Sequence, residues 1–353
     1  MRIQKESYPN KRSKKLFSPK LIFSKKAIEI QFNWMFVLVA GALILMFFMA
    51  IVFKQKEVSQ ESTNIAVLKS IGAIIAGAGT SSQTSRPIDV PYSDILVGCN
   101  QISSGRMLKQ FGNASLILFA PGLIRGKKLI VQTLDFAAPY KATNILYATS
   151  PSVRYVIIGN GNLARDVNKT FSRDIGREFY TAPFAVRNKN DYKVRFVFFS
   201  DAESIVLENL NVMRNEDVSA ISIAGSDDKG EIKFYQKNSL NGWTLTGKSD
   251  YITRPSVIGA IFADTIEAYD CNMQNIFQRF EIITRIYKQR ASKLLGYGAG
   301  RCDPLYNAAI GEMEKILASK SFGKDSIEQI SKSSSALSEN NNNLQLESCP
   351  LPY

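Results

Sequence analysis

The most chemically suggestive stretch of this chain is VIIGNGNLARDV, in which Gly159, Gly161 and Ala164 match G-x-G-x-x-A after a strand-like run and before a helix-like one. That spacing brings backbone amides and a helix N-terminus to a pyrophosphate, so it marks a candidate cofactor-binding turn, with Glu178 near the distance expected of an acidic ribose partner. The same residues also make an ordinary strand-to-helix turn, and no bound cofactor is expected from the sequence. Asp201 with Glu203, Asp227 with Asp228, and Asp264 with Glu267 each stand near a strand end, where ligand sites of α/β sheets gather. Exposed turn and cap residues have this composition too, so none is assigned a catalytic role. The chain has 0 histidines, which removes Ser-His-Asp, Cys-His and HExxH chemistry and leaves carboxylates and lysines. Asn113-Ala-Ser115 and Asn168-Lys-Thr170 are glycosylation sequons.

Four cysteines, Cys99, Cys271, Cys302 and Cys349, occur without any CxxC pair or histidine. A zinc framework normally needs short spacings, so two disulfides are the expectation and no metal is expected. The helical pattern at the C-terminal end selects the connectivity. A stripe of Met273, Ile276, Phe277, Phe280, Ile283, Tyr287, Ala291 and Leu294 predicts one helix. Asp303 followed by Pro304 predicts the start of a second, and Asp325 begins a third with Ile327, Ile330, Leu337 and Leu344 on its apolar seam. Short links make the neighbours antiparallel. Cys271 and Cys302, each near the start of a helix, then lie roughly 30 Å apart, beyond the ~7 Å Cα limit of a disulfide. Cys302 with Cys349 and Cys99 with Cys271 are the predicted bonds.

Between residues 94 and 263 the text alternates strand-like and helix-like pieces. SLILF at 115–119, KLIVQ at 128–132, VRYVIIG at 153–159, VRFVFFS at 194–200, and the runs 218–223 and 257–262 read as buried strands. Residues 139–148 read as a helix through Ala142, Ile145 and Leu146. Residues 231–235 and 243–246 flank Gly242 as an antiparallel hairpin on the sheet edge. The fold class expected is α/β, a three-layer sheet domain at 94–263 followed by an antiparallel helical bundle at 264–353. Asn340 to Asn343 form a low-complexity run expected at a frayed or solvated surface.

What places this body is the N-terminal text. Residues 34–53, WMFVLVAGALILMFFMAIVF, carry no charge and, as a helix rising ~1.5 Å per residue, match the ~30 Å hydrocarbon core. Residues 1–33 hold nine Lys or Arg against two acids, which places the leader in the cytoplasm and the body outside the cell membrane. Lys54, Gln55, Lys56 and Glu57 follow directly, unlike a secretory cleavage site. Val58, Ile65, Leu68, Ile71 and Ile75 extend the helix as an amphipathic stalk over 54–75, and residues 76–93, rich in Gly, Ala, Ser and Thr, read as a linker. Net charge is +13, of which +7 lies in the leader. No dense basic run interleaved with aromatics remains in the body, so nucleic acid is not expected as a partner. The lipid bilayer and other envelope or surface proteins are.

Basic residues followed by KKAIEIQFNWMFVLVAGALIL and a half-apolar, half-amphipathic helix resemble the N-termini of archaeal type IV pilin-like proteins with class III signal peptides. The resemblance implies cytoplasmic trimming at Lys26 and Ala27; Glu29 would then stand second, where bacterial pilins place a Glu fifth, and an uncut anchor is the expectation. Over nearly the whole chain, EIQFNWMFVLVAGA, TSPSVRYVI, PSVIGAIFADTIEAYDCNMQ and SCPLPY resemble an uncharacterised family of single-pass membrane proteins of small-genome archaea. That resemblance implies a topology and no mechanism. The expected role is a membrane-anchored binding or structural module, with a pilin-like subunit or an extracytoplasmic nucleotide-binding enzyme as alternatives.

Overall fold

The computed structural model describes residues 25–78, 84–112, 117–181, 192–200, 213–240, 242–297, 300–319 and 321–353. Residues 1–24 of the leader, Asp201, Glu203 and the sequon at Asn113 lie outside the described residues, as do the side chains of Lys26, Ala27, Glu29 and Ile75. The chain divides into two units, Met1–Ser59 and Gln60–Tyr353.

In the first unit the described residues belong to one helix, α1 (Lys25–Ala78), which continues into the second. Its segment Trp34–Lys56, 23 residues, is long and apolar enough to cross a membrane, and none of it is buried by protein. A soluble core helix of this composition would be covered on all sides. The apolar helix expected at 34–53 falls within this segment.

In the second unit, α1 is no free stalk. Val67, Leu68 and Ile71 are buried against Ile95, Ile102, Ile124, Leu129 and Val131 of a sheet, while Val58, before the unit begins, is exposed. That sheet has the order β3-β2-β1-β5-β6-β4, built from β1 (Ser85–Gly98), β2 (Gln101–Ser104), β3 (Met107–Gln110), β4 (Leu118–Phe119), β5 (Leu123–Ala137) and β6 (Lys141–Thr149). All neighbours are antiparallel except β4 with β6. Two sequence expectations change here. The linker expected at 76–93 is strand from Ser85 onward: Pro87 sits where β1 pairs with β5 alone, and Pro91 falls in the irregularity between Asp89 and Ser93. Proline is tolerated at both kinds of position, so the composition misleads. The helix expected at 139–148 is β6; because both faces of this sheet are covered, Ile145, Leu146, Tyr147 and Ala148 are all buried and no period-2 alternation survives.

A second sheet has the order β12-β11-β10-β9-β7-β8, from β7 (Val153–Ile158), β8 (Arg177–Tyr180), β9 (Lys193–Phe198), β10 (Val218–Gly225), β11 (Lys229–Lys237) and β12 (Trp243–Ile252). Strands β8, β7, β9 and β10 are parallel, and the β11–β12 hairpin closes the edge antiparallel, as its sequence foretells. Helix α2 (Asn162–Thr170) links β7 to β8.

Between the sheets runs α3 (Thr253–Phe262), touching β4, β5 and β6 of one and β10 and β12 of the other. The strand expected at 257–262 is therefore a helix. Every residue from Ser256 to Phe262 is buried, and a helix covered all round shows no 3.6-residue period to tell it from a buried strand. Gly259 is where the first sheet comes closest: a Cβ there would stand 2.9 Å from the Phe119 ring. The architecture is thus mixed α/β with two sheets rather than one.

The three C-terminal helices fall where the periodicity puts them, α4 (Ile266–Lys293), α5 (Asp303–Ala318) and α6 (Lys324–Leu346), with α4 against α5 and α5 against α6. Thr265 caps α4 by accepting from the Ala268 N–H at 3.3 Å. Asp303 accepts from the Gly296 N–H at 2.7 Å and so closes the α4–α5 connection instead of capping α5 itself. Asn340 is buried, donating to the Leu305 carbonyl at 2.7 Å, so the asparagine run begins inside the bundle contact.

Candidate functional site

The parallel part of the second sheet reverses direction of growth at β7. From β7 the chain passes through α2 to β8 on one side, whereas β9 and β10 add on the other. Ligand crevices of open α/β sheets form outside the carboxyl ends of strands at such a point. A cleft of about 510 Å³ lies there, lined by Asn160, Gly161, Asn162, Ser200, Ser226 and Asp227 among others.

The three motif residues play distinct parts. A Cβ on Gly159 would stand 2.8 Å from Cβ of Phe199 and 3.1 Å from Cβ of Ala164, so the glycine lets strand, turn and helix close on one another. The Gly159 N–H bonds the Tyr180 carbonyl and the Phe199 N–H bonds the Ile158 carbonyl, both at 2.9 Å, which fixes the turn to the strands on either side. Gly161 precedes α2 with extended backbone and has open space where a side chain would be. The first helical bond runs from the Arg165 N–H to the Gly161 carbonyl at 3.2 Å, which leaves the amides of Asn162 to Ala164 at the open end of the helix. Ala164 is fully buried beneath the turn.

Glu178 does not complete this arrangement. It pairs in register with Val156, two positions before the strand ends, and its carboxylate accepts from the Tyr180 hydroxyl at 2.6 Å and lies 3.6 Å from the Arg154 guanidinium. The carboxylate pairs are likewise employed in the fold. Arg254 bridges Asp227 at 3.1 Å and Asp166 at 3.5 Å, while the Asp228 carbonyl accepts from the Thr253 N–H at 2.7 Å. Asp264 forms an ion pair with Lys193 and accepts from the Gly122 N–H at 2.8 Å, joining β9 to the turn before β5; Glu267 lies in the first turn of α4. Neither pair is arranged as an acid and base over a common space. Asn168 of the second sequon lies in α2, its side-chain oxygen accepting from Arg177 at 3.0 Å.

A residue the motif reading passed over is Arg195. Fully buried on β9, it donates to the Ala260 carbonyl at 3.0 Å and the Ala263 carbonyl at 2.6 Å, satisfying the C-terminal end of α3, and its cation lies over the Phe234 ring. Burial pulls its guanidinium down to about 10, against the pull of the nearby Asp264 carboxylate. The signal was present in KVRFVF, a basic residue inside an otherwise buried strand.

The cysteines are joined as Cys99 with Cys271, Cα atoms 6.1 Å apart, and Cys302 with Cys349, 6.2 Å apart. The first ties the end of β1 to the opening turns of α4, and the second ties the start of α5 to the segment after α6. Around the second, the Tyr306 hydroxyl donates to the Pro350 carbonyl at 2.8 Å and the Tyr353 hydroxyl to the Leu337 carbonyl at 2.6 Å. Among the described residues no group of three or more His, Cys, Asp or Glu is placed to hold a metal ion.

No protein-family model matches the chain, and neither a curated protein nor a solved structure is significantly similar to it.

Proposed function

We propose that this chain is a membrane-anchored binding or structural module, with its leader in the cytoplasm and its disulfide-tied α/β body on the outer side of the membrane. The observation that carries the reading is the division of labour within α1. Its Trp34–Lys56 segment has no protein cover, and the same helix goes on to bury Val67, Leu68 and Ile71 in the body. A span built into the fold in this way suits an anchor that is retained. The charge bias of residues 1–33 and the likeness to single-pass archaeal membrane proteins support the same orientation. Protease added to intact cells is expected to remove the body and spare the leader; a body that survives until the cells are lysed contradicts the orientation.

A second reading is favoured by the cleft at the Gly159 turn: the body holds a small polar ligand, with a nucleotide as the class that G-x-G-x-x-A implies. With Glu178 occupied in the sheet, any recognition rests on the backbone of residues 160–164 and on Ser200, Ser226 and Asp227. Thermal unfolding of the whole protein across a nucleotide panel tests it, and an unchanged midpoint for every compound refutes it. The pilin-like reading is separated from both by the mature N-terminus, which that reading puts near Ala27 and the uncut anchor at Met1.

A further inference from the structure

Where α1 ends, it covers the first sheet incompletely. A cavity of about 460 Å³ opens there, lined by Ile74 and Gly77 of the helix and by Ile88, Val131 and Leu146 of β1, β5 and β6. That volume is in the range of small-ligand sites. A Cβ on Gly77 would meet nothing within 4 Å, so the last turn of the helix leaves room beside it. The chain that follows has no aliphatic or aromatic side chain to place there, because residues 79–83 are Gly, Thr, Ser, Ser and Gln.

One residue on this face is out of character. Arg86 and Ile88 stand in register with Val131 and Leu129, whose side chains pack toward α1, so a cation occupies a row of the core face. The neighbouring Thr84 and Thr133 hydroxyls lie 3.0 Å apart and satisfy one another. Arg86 lines the cavity with no ion pair or hydrogen bond among the described residues. The acids of these strands do not answer it. Asp89 alternates to the opposite face in register with Lys128, Asp94 is bridged by Arg125 at 3.0 Å, and Asp135 is held by Lys141 at 2.9 Å. Helix α1 has no acid after Glu61, and its terminal carbonyls offer only partial negative charge.

We propose that this cavity binds a single-chain amphiphile with a carboxylate head, its apolar chain against Ile74, Ile88, Val131 and Leu146 and its head at the Arg86 guanidinium. An apolar lining with one unmatched cation is complemented by a ligand that is apolar along its length and anionic at one end. A peptide strand fits less well. From Ser85 to Asp94, β1 pairs with β5 alone, and Pro87 and Pro91 blunt that open edge against strand addition. The inference depends neither on the Gly159 cleft nor on the orientation of the chain in a membrane, since every lining residue belongs to the second unit.

The test uses the whole chain in lipid nanodiscs and hexadecanoic acid bearing a photoactivatable diazirine at its terminal carbon. After irradiation, peptide mapping separates labelling of the cavity from background labelling of residues 34–53. Cavity labelling is expected on the peptides holding Ile74, Ile88, Val131 or Leu146, and excess unmodified hexadecanoate should suppress it about tenfold while the background persists. The methyl ester of the probe should label residues 34–53 alone. Gly77→Leu fills the cavity from a position with open space and is a better helix former, and Arg86→Glu reverses the charge. Each should lower cavity labelling about tenfold or more, with the background and the near-ultraviolet dichroism of the body unchanged. Labelling confined to residues 34–53, cavity labelling that hexadecanoate does not displace, an ester or a two-chain phospholipid probe that labels the cavity as the acid does, or folded variants labelled as the wild type is would overturn the proposal.

Discussion

Removing the Cys302–Cys349 bond by changing both residues to serine should destabilise the body with little change in its folded form. The bond spans 47 residues, and closing a loop of that length removes about 4 kcal/mol of chain entropy from the unfolded state at 25 °C. In the folded state the segment it fastens is held independently, by the Cys349 N–H to the Leu344 carbonyl at 2.8 Å and by the Tyr306 and Tyr353 hydroxyls. The loss therefore falls mainly on the unfolded ensemble, and about 4 kcal/mol is its ceiling. Urea unfolding followed by near-ultraviolet dichroism of the aromatic core measures it, with peptide mapping under non-reducing conditions to identify the bonds first. The Cys99–Cys271 bond spans 172 residues, for which the same reasoning gives a ceiling of about 5 kcal/mol. A map showing Cys271 joined to Cys302, or a double-serine variant within about 0.5 kcal/mol of the wild type, would refute the reasoning.

Arg195→Met should cost about 3–5 kcal/mol in the same assay, because it strips the donors from the buried Ala260 and Ala263 carbonyls; Arg195→Lys should recover only part of this, since one ammonium cannot reproduce the fork. Gly159→Val should cost roughly 1–3 kcal/mol by forcing Phe199 and Ala164 apart, while Gly161→Val, facing open space, should leave the α/β packing undisturbed and narrow the cleft. Asp250 is raised above its usual value in the folded protein, so its contribution is fully present below the unfolded value of 3.8 and is lost as pH rises through the higher folded value. Asp250→Asn should accordingly be more stable than the wild type at neutral pH, with the difference vanishing below about pH 4, in urea titrations at several pH values.

What the sequence reveals follows from how each element is covered. The apolar helix at 34–53 and the three C-terminal helices are legible because each has one pattern per face: apolar all round and uncovered by protein for residues 34–53, core on one side and water on the other for α4 to α6. The predicted disulfide pairs follow from those helices alone. Legibility fails in the middle of the body, where α3 lies between two sheets and β6 is buried on both faces, so that the periods of 3.6 and 2 vanish together. β1 is hidden by Pro87 and Pro91, which its one-sided pairing and its irregularity accommodate. At the candidate site, the Gly159 turn is placed correctly at a strand-to-helix junction. The fate of Glu178 depends on its register against Val156 and on Arg154, neither of which sequence spacing supplies.

In the function proposed, residues 34–53 hold a folded body on a membrane. Alkaline carbonate extraction of membranes, read by the intact mass of the retained chain, tests it most directly. The chain is expected to stay in the pellet with its Met1 end attached, and deletion of residues 34–53 is expected to release a body carrying both disulfides. A chain recovered in the supernatant, or one whose mass begins after the apolar segment, would contradict it.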